Sequence, residues 1–286
     1  MKFIKSYFGL IPVLVFLCFA QTNLTSCQKE TQFITDTLRV KDTLVLKDTI
    51  RTADTIYCQS LKEGLIAYYN FNGGTLNDSS GYNNHIIYNN AVKTADRFGK
   101  ANNAYLFDGS TNYMRVANSP SLNPKTGITM VAIIKIHDFY RGNCGGNQII
   151  GKGVNDFING FYALRSRTTV GCNVMVDTSQ EVFYGNYGDI PSRLAPQNLT
   201  HFIQVNKWYN LVFTYAPGEA RLYLNGTLIH SVTGTATFTP NNQDVFIGKH
   251  DDFTYPYWFN GIIDEIRIYN RALCQGDVNK LNALKD

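Results

Sequence analysis

Past residue 60 the chain is dominated by short apolar runs that alternate with polar positions at a period of two, the pattern of half-buried strands. The clearest stretch is Trp208–Gly226, W-Y-N-L-V-F-T-Y-A-P-G-E-A-R-L-Y-L-N-G. Leu211 to Tyr215 is apolar or β-branched, Pro217-Gly218 is a turn, and a second alternating run covers Ala220 to Leu224. Asn225-Gly226 favours a two-residue type I′ turn, because both central residues need positive φ. A third run, Thr227 to Val232, follows. Three strands joined by tight turns predict a meander. Further strands are predicted at Leu65–Phe71, Ala104–Phe107, Tyr113–Val116, Gln148–Gly151, Phe161–Arg165, Asn173–Val176, Val182–Tyr184, Val245–Gly248 and Gly261–Tyr269. Ile128–Ile136 is a long, mostly apolar run broken only by Thr129 and Lys135, as expected of a strand buried on both faces. Gly276–Leu284 alone has helical spacing, with Val278, Leu281 and Leu284 on one face. Strands at this spacing, separated by Gly- and Asn-rich turns, predict an all-β domain over residues 61–286: a two-sheet antiparallel sandwich.

The first 60 residues follow other rules. Lys2 and Lys5 precede an apolar run from Tyr7 to Ala20, too short for a membrane span of about 20 residues and suited to a secretory signal. Leu24-Thr25-Ser26-Cys27 resembles the lipobox of bacterial lipoproteins, which implies a signal over residues 1–26 and a lipid on Cys27. Gln28 after that cysteine resembles the outer-membrane sorting pattern, so an outer-membrane anchor is expected, with the face undetermined. Residues 27–60 form a tether: Asp36, Asp42, Asp48 and Asp54 recur every six residues, each followed by Thr and an aliphatic residue. Six is a multiple of two, so the acids share one extended-chain face with Leu38, Leu44, Ile50 and Ile56. That is an extended or strand-forming spacer without its own core. The triplets also resemble an Asp-Ser/Thr-aliphatic O-glycosylation sequon, which would place glycans on Thr37, Thr43, Thr49 and Thr55. A plain repeat-expanded spacer is compatible with the same residues.

Composition narrows the partners. Without Lys2 and Lys5 the formal charge of +4 becomes +2, so neither nucleic acid nor an acidic surface is indicated. Apart from Cys18 and Cys27, four cysteines remain, an even number that suits disulfides in an exported chain. Of three pairings, Cys58–Cys274 and Cys144–Cys172 are preferred, since each brackets segments that a sandwich would place side by side.

Several motifs then resemble one family. G-L-I-A-Y-Y-N-F-N-G (64–73) with N-D-S-S-G-Y-N-N-H (77–85), R-F-G-K-A (97–101) with Y-L-F-D-G (105–109), the meander, and W-F-N-G-I-I-D-E-I-R-I-Y-N-R-A-L (258–273) are similar, in order, to LamG-like jelly-roll domains of the concanavalin A-like lectin/glucanase superfamily. The resemblance implies a jelly-roll sandwich whose first and last strands pair. The 138–205 region departs from it, being longer and less regular, and contains Cys144 and Cys172.

The resemblance also frames the candidate sites. Asp264 alternates with Ile262, Ile266 and Ile268 and is expected to point inward, with Glu265 and Arg267 outward. Strand pairing as in the family would bring Asp264 near the Asp78–Asn84 loop. Asp78 and Asp264 then either contribute to a structural Ca²⁺ site or satisfy themselves with local backbone donors. The superfamily's glucanases resemble one another in an E-x-D-x-E-type strand, which the four glutamates of this domain, Glu63, Glu181, Glu219 and Glu265, do not form. Hydrolysis is therefore not expected. The loop His250–Trp258 places Tyr255, Tyr257 and Trp258 beside Asp251, and Tyr140, Tyr184 and Tyr187 are available to extend the surface. Aromatic faces next to carboxylates suit sugar rings. The expected function is non-catalytic glycan binding, with a protein-binding surface as the alternative.

Overall fold

Most strands of the domain form where pattern and turns predict them. In chain order the strands are β1 (Gln28–Gln32), β2 (Leu38–Val40), β3 (Thr43–Val45), β4 (Ala53–Tyr57), β5 (Leu65–Tyr69), β6 (Ile86–Asn89), β7 (Val92–Thr94), β8 (Ala104–Asp108), β9 (Met114–Val116), β10 (Ile128–Asp138), β11 (Asn147–Lys152), β12 (Tyr162–Thr168), β13 (Glu181–Tyr187), β14 (Trp208–Ala216), β15 (Gly218–Leu224), β16 (Thr227–Gly234), β17 (Val245–Ile247) and β18 (Asn260–Tyr269). One helix, α1 (Gln275–Ala283), follows. The computed structural model describes residues 58, 60–153, 159–168, 181–189, 192–197 and 202–284, together with the backbone of β1–β4. The signal, the lipidation residue Cys27, Thr37, Thr49, Cys172 and the strand expected at Asn173–Val176 lie outside the described residues. In the tether region β1 pairs antiparallel with β4, and β2 with β3.

Two antiparallel sheets stack as a sandwich. The larger runs β16-β15-β14-β10-β18-β8-β7, with β5 also paired to β18; the smaller runs β13-β12-β11-β17-β9-β6. The meander contributes three consecutive antiparallel strands, β14, β15 and β16, with one register shift between Leu222 and Tyr223. Asn225 and Gly226 have φ of 50° and 83°, the positive values that its turn requires. The first domain strand pairs with the last, Tyr69 opposite Ile266 and Ala67 opposite Ile268, as the resemblance implied.

The core lies between the sheets and includes Met130, Ala132, Ile134, Leu164, Phe213, Ile247, Ile266 and Ile268. Val131, on the other face of β10, packs in a second cluster with Val212, Tyr223, Tyr269, Val278 and Leu281. Strand β10 is therefore buried on both sides because α1 covers the back of the larger sheet. This corrects the expectation that Glu265 and Arg267 face water. They point outward but are 5 % and 7 % exposed, and are joined by a 2.6 Å ion pair. Burying such a pair is tolerable because Arg267 also donates to Tyr68 Oη and stacks on that ring. A second buried arginine clamps the helix. Arg271 donates to the carbonyls of Ser60 and Glu63 and pairs with Asp277.

The period-two reading of β18 fails at one place. Ile133 and Ile134 of β10 oppose Glu265 and Ile263, so Asp264 is the extra residue of a β-bulge. The core positions become Ile263, Ile266 and Ile268; Ile262 is not among them, contrary to the alternation.

Candidate functional site

The His250–Trp258 loop joins β17 to β18 and is fixed by its own polar groups. Asp252 Oδ1 accepts from the backbone N–H of Thr254 and Tyr255, an Asx turn. His250 N–H donates to the Pro256 carbonyl at 2.6 Å, and Phe259 N–H to that of Gly248. Gln148 N–H donates to the Tyr257 carbonyl at 2.7 Å, tying the loop to β11. Tyr257 itself has φ of 44°. This conformation is strained for a tyrosine and turns consecutive rings to opposite sides.

The predicted aromatic site is thereby divided. Tyr257 stacks near His250 and Tyr255 at 5.6 and 6.2 Å and meets Tyr140 edge-on at 6.3 Å. The Arg165 guanidinium lies over both Tyr257 and Tyr184. Trp258 instead joins Tyr113, 6.2 Å away, and Asp251 is on that side too, 3.6 Å from Lys249 Nζ. Tyr187 belongs to neither group. Fully buried, it stacks on Tyr215 and Phe238 and donates to the Pro124 carbonyl; it is a core residue, not a surface one. Phe253, at the loop tip, is wholly exposed.

On the Trp258 side the surface opens into two adjoining clefts. One, about 400 Å³, is lined by Tyr113, Arg115, Asn242, Gln243, Asp244, Phe246, Lys249 and Asp251. The other, about 370 Å³, lies among Lys249, Asp251, Asp252, Phe253, Pro256 and Trp258. Lys249 and Asp251 belong to both. Alternation places the walls: Met114, Val116, Val245 and Ile247 fill the core, so Arg115 and Phe246, register partners on β9 and β17, must face out. Lys249 Nζ sits over the rings of Tyr113, Phe246 and Trp258 at 4.8, 5.1 and 5.6 Å. Tyr88 extends the aromatic surface, stacked on Tyr113 at 4.6 Å. Arg115 pairs with Asp244 at 3.3 Å.

Burial raises the Asp251 carboxyl above its ordinary value, opposed by Lys249. It also raises the Tyr113 hydroxyl. Behind the cleft Lys152 is fully buried. Its ammonium donates to Asn118 Oδ1 at 2.7 Å and to the Gln243 carbonyl, and burial lowers its pKa to about 8. Asn118 N–H in turn donates to Asp244 Oδ1, so Lys152 and Asn118 together hold the Gln243–Asp244 wall. The arrangement offers stacking faces, charged donors and carboxylate acceptors at one opening. Tyr113, Arg115, Asp244, Phe246 and Lys249 were not singled out by sequence. Their outward positions follow from alternation, but the β9–β17 pairing that unites them joins residues far apart in the chain.

Asp78 and Asp264 each have their own donors. Asp78 Oδ1 accepts from the backbone N–H of Tyr68 and Ser80, and Oδ2 from Ser80 Oγ and Asn84 N–H. Asp264 accepts from Arg97, through its backbone N–H at 3.0 Å and its guanidinium at 2.9 Å. Burial nonetheless raises Asp264 to about 6. Among the described residues, Cys58, Cys274 and Asp277 alone cluster with metal-ligand spacing, and these two sulfurs form the predicted Cys58–Cys274 disulfide. Cys144 is also disulfide-bonded, with its partner outside the described residues.

A family model described as the concanavalin A-like lectin/glucanases superfamily matches residues 108–279, more than half of the chain. No curated protein matches the sequence. Among solved structures, the binding domain of Paraclostridial Mosquitocidal Protein 1 superposes with a TM-score of 0.58 at 17 % identity, over 78 % of this chain and 52 % of that one. Domain 4 of AbnA, an extracellular arabinanase from Geobacillus stearothermophilus solved with arabinotriose, gives 0.53 at 19 % identity, over 76 % and 98 %. The binding domain of botulinum neurotoxin DC in complex with SialylT gives 0.54 at 16 % identity, over 78 % and 52 %. The chain spans about half the length of the toxin binding domains it matches. At these identities the likeness is one of fold.

Proposed function

This chain belongs to the concanavalin A-like lectin/glucanase superfamily, and from that premise we propose that its β-sandwich is a non-catalytic glycan-binding module. The carrying observation is the pair of adjoining clefts. They present the half-buried rings of Tyr113 and Trp258, with Phe246 buried behind them, beside the Lys249–Asp251 and Arg115–Asp244 pairs. Sugar rings present C–H faces to aromatic rings while their hydroxyls need donors and acceptors together, and both are supplied here. Support also comes from similarly folded domains described in complex with arabinotriose and with SialylT.

The protein-binding alternative has its own observation. Tyr82, Ile87, Val92 and Phe98 are all more than half exposed, and they fall within a short stretch on and around β6 and β7. Exposed apolar groups of this kind suit a protein partner. We assign the sugar role to the clefts and leave this surface as the second reading. At the N-terminus, the proposal keeps the lipid on Cys27, the outer-membrane anchor and the residue 27–60 tether, which would hold the module away from the lipid surface.

Probing the purified protein on a glycan array is the test. Saturable binding of a defined glycan is expected, weakened at least tenfold by Trp258→Ala with unchanged melting temperature. Failure of any glycan to bind would sink the reading.

A further inference from the structure

We propose that the Cys58–Cys274 bond makes β18 a tension-carrying strap between the tether and the glycan clefts, so that the module holds a captured glycan under pull without unfolding. This rests on the glycan-binding reading above and adds to it the mechanical duty of the link.

Connectivity defines the strap. Strand β4 ends at Tyr57, so the tether meets the domain at Cys58, and the chain then enters β5. That strand lies off the main order of the larger sheet and pairs with β18 through four residue pairs. Pulled through β5, the domain would open strand by strand from its first element. The disulfide instead delivers the pull to Cys274, five residues past the end of β18. Strand β18 is an inner strand, held to β10 by nine residue pairs and to β8 by four. Just before its other end lies Trp258, in the loop that walls the clefts. Anchor and cleft therefore sit at opposite ends of one ten-residue strand. The joint at the anchor is reinforced. Arg271 donates to the carbonyls of Ser60 and Glu63, and Asn270 N–H to that of Gly64. Thr129 Oγ1 donates to the Arg271 carbonyl and accepts from Leu273 N–H, pinning the same segment to β10. The first turn of α1 closes on the sulfurs, where a Cβ on Gly276 would lie 2.8 Å from Cys58 Sγ.

Lengths decide what tension can do, because force favours unfolding in proportion to the length gained. Cys274 lies 16 residues past Trp258, and that stretch is at most about 58 Å long when taut. Strand β18 already spans about 31 Å of it. Unfolding can then lengthen the link by roughly 30 Å at most. Without the bond the path runs through the 200 residues from Cys58 to Trp258, about 700 Å when taut. The bond thus removes nearly all of the length that a pull on the glycan could gain. A disulfide that served stability alone could join any two distant segments with equal effect. This one joins the tether to the strand that begins at the cleft.

The test is single-molecule pulling of the purified protein between its N-terminal tether and a clickable handle that replaces the side chain of Phe253 or, separately, of Val92. Both side chains are exposed, Phe253 at the cleft and Val92 on β7. Pulled at 253, the oxidised protein should show no step longer than about 80 Å. Pulled at 92, which the bond does not bypass, it should unfold at lower force with a step of up to about 120 Å. Cys58→Ser with Cys274→Ser, pulled at 253, should give a step of more than about 600 Å, also at lower force. Equal unfolding forces for the two handles would make the bond a general stabiliser and overturn the strap, with or without a well-folded double variant. A long step in the oxidised protein at 253, or a double variant that holds as firmly, would overturn it too. In a flow cell, glycan-coated beads should stay on the native protein at flows that strip them from the double variant, although the two have equal dissociation constants at rest. Equal retention would overturn the strap. Absence of any glycan binding would overturn the glycan reading alone, because the pulling results do not depend on it.

Discussion

Replacing Glu181 with glutamine should stabilise the protein at alkaline pH. Glu181 begins β13 and is fully buried. Neither carboxyl oxygen has a hydrogen bond of ordinary geometry. Burial therefore dominates, with only partial relief from Ser166, Arg167 and Gly146, and raises the pKa from 4.5 to about 7. A folded-state pKa above the unfolded value means that the native state holds more protons between those limits. The stability that this group contributes is present in full below about pH 4.5 and is lost as pH rises through 7. At about 1.4 kcal/mol per unit, ionising it costs about 3 kcal/mol by pH 8. Glutamine keeps the shape and never ionises. Thermal melts followed by circular dichroism should give similar melting temperatures for wild type and Glu181→Gln at pH 5. At pH 8 the variant should melt higher by up to about 10 °C, taking about 2–4 °C per kcal/mol for a domain of this size. Asp264, raised to about 6, tilts both curves in the same direction, so their difference isolates Glu181. Parallel curves, or a variant less stable at pH 8, would refute the reasoning and show Glu181 to be a paired, ionised group.

Other perturbations read the scaffold. The Cys58–Cys274 bond spans 216 residues, so Cys58→Ser with Cys274→Ser should lower unfolding stability by about 2–5 kcal/mol in urea titrations. Gly226→Ala puts a Cβ on a residue with φ of 83° and should cost about 1–2 kcal/mol by the same titration. Asp78→Ala removes the acceptor of four hydrogen bonds and should cost about 3–5 kcal/mol. Because those donors already occupy Asp78, added calcium or EDTA should leave the melting temperature unchanged; a calcium-dependent rise would restore Asp78 as an ion ligand.

Local signals were sufficient for most of the scaffold. Asn225-Gly226 encodes its turn in two residues, and the apolar run Met130–Ile134 of β10 announces burial on both faces. The short strands β6 and β7 escaped because Ile86–Asn89 and Val92–Thr94 are mostly solvent-facing and carry little hydrophobic periodicity. At β18 the alternation gave Ile262 as a core position, whereas the bulge at Asp264 puts Ile263 there; a bulge depends on the partner strand and leaves no mark in the pattern of one. Glu265 and Arg267 follow the same logic. Their outward direction was legible, but their burial was not: Arg267 stacks on Tyr68 of the distant strand β5 and pairs with Glu265. The aromatic loop was found from composition alone, while its division between Tyr257 and Trp258 depends on one positive φ. Arg115, Phe246 and Lys249 are ordinary residues in the sequence. Only the β9–β17 pairing makes them a wall.

The chain has two tryptophans: Trp258 lines one of the two clefts, whereas Trp208 starts β14 and contacts Lys135. In a Trp208→Phe variant all tryptophan emission comes from Trp258. Titrating that protein with the glycan that gives the strongest array signal should produce a saturable change in emission, with the same dissociation constant as calorimetry. Calorimetric binding without any change in Trp258 emission would contradict the placement of the glycan in this cleft.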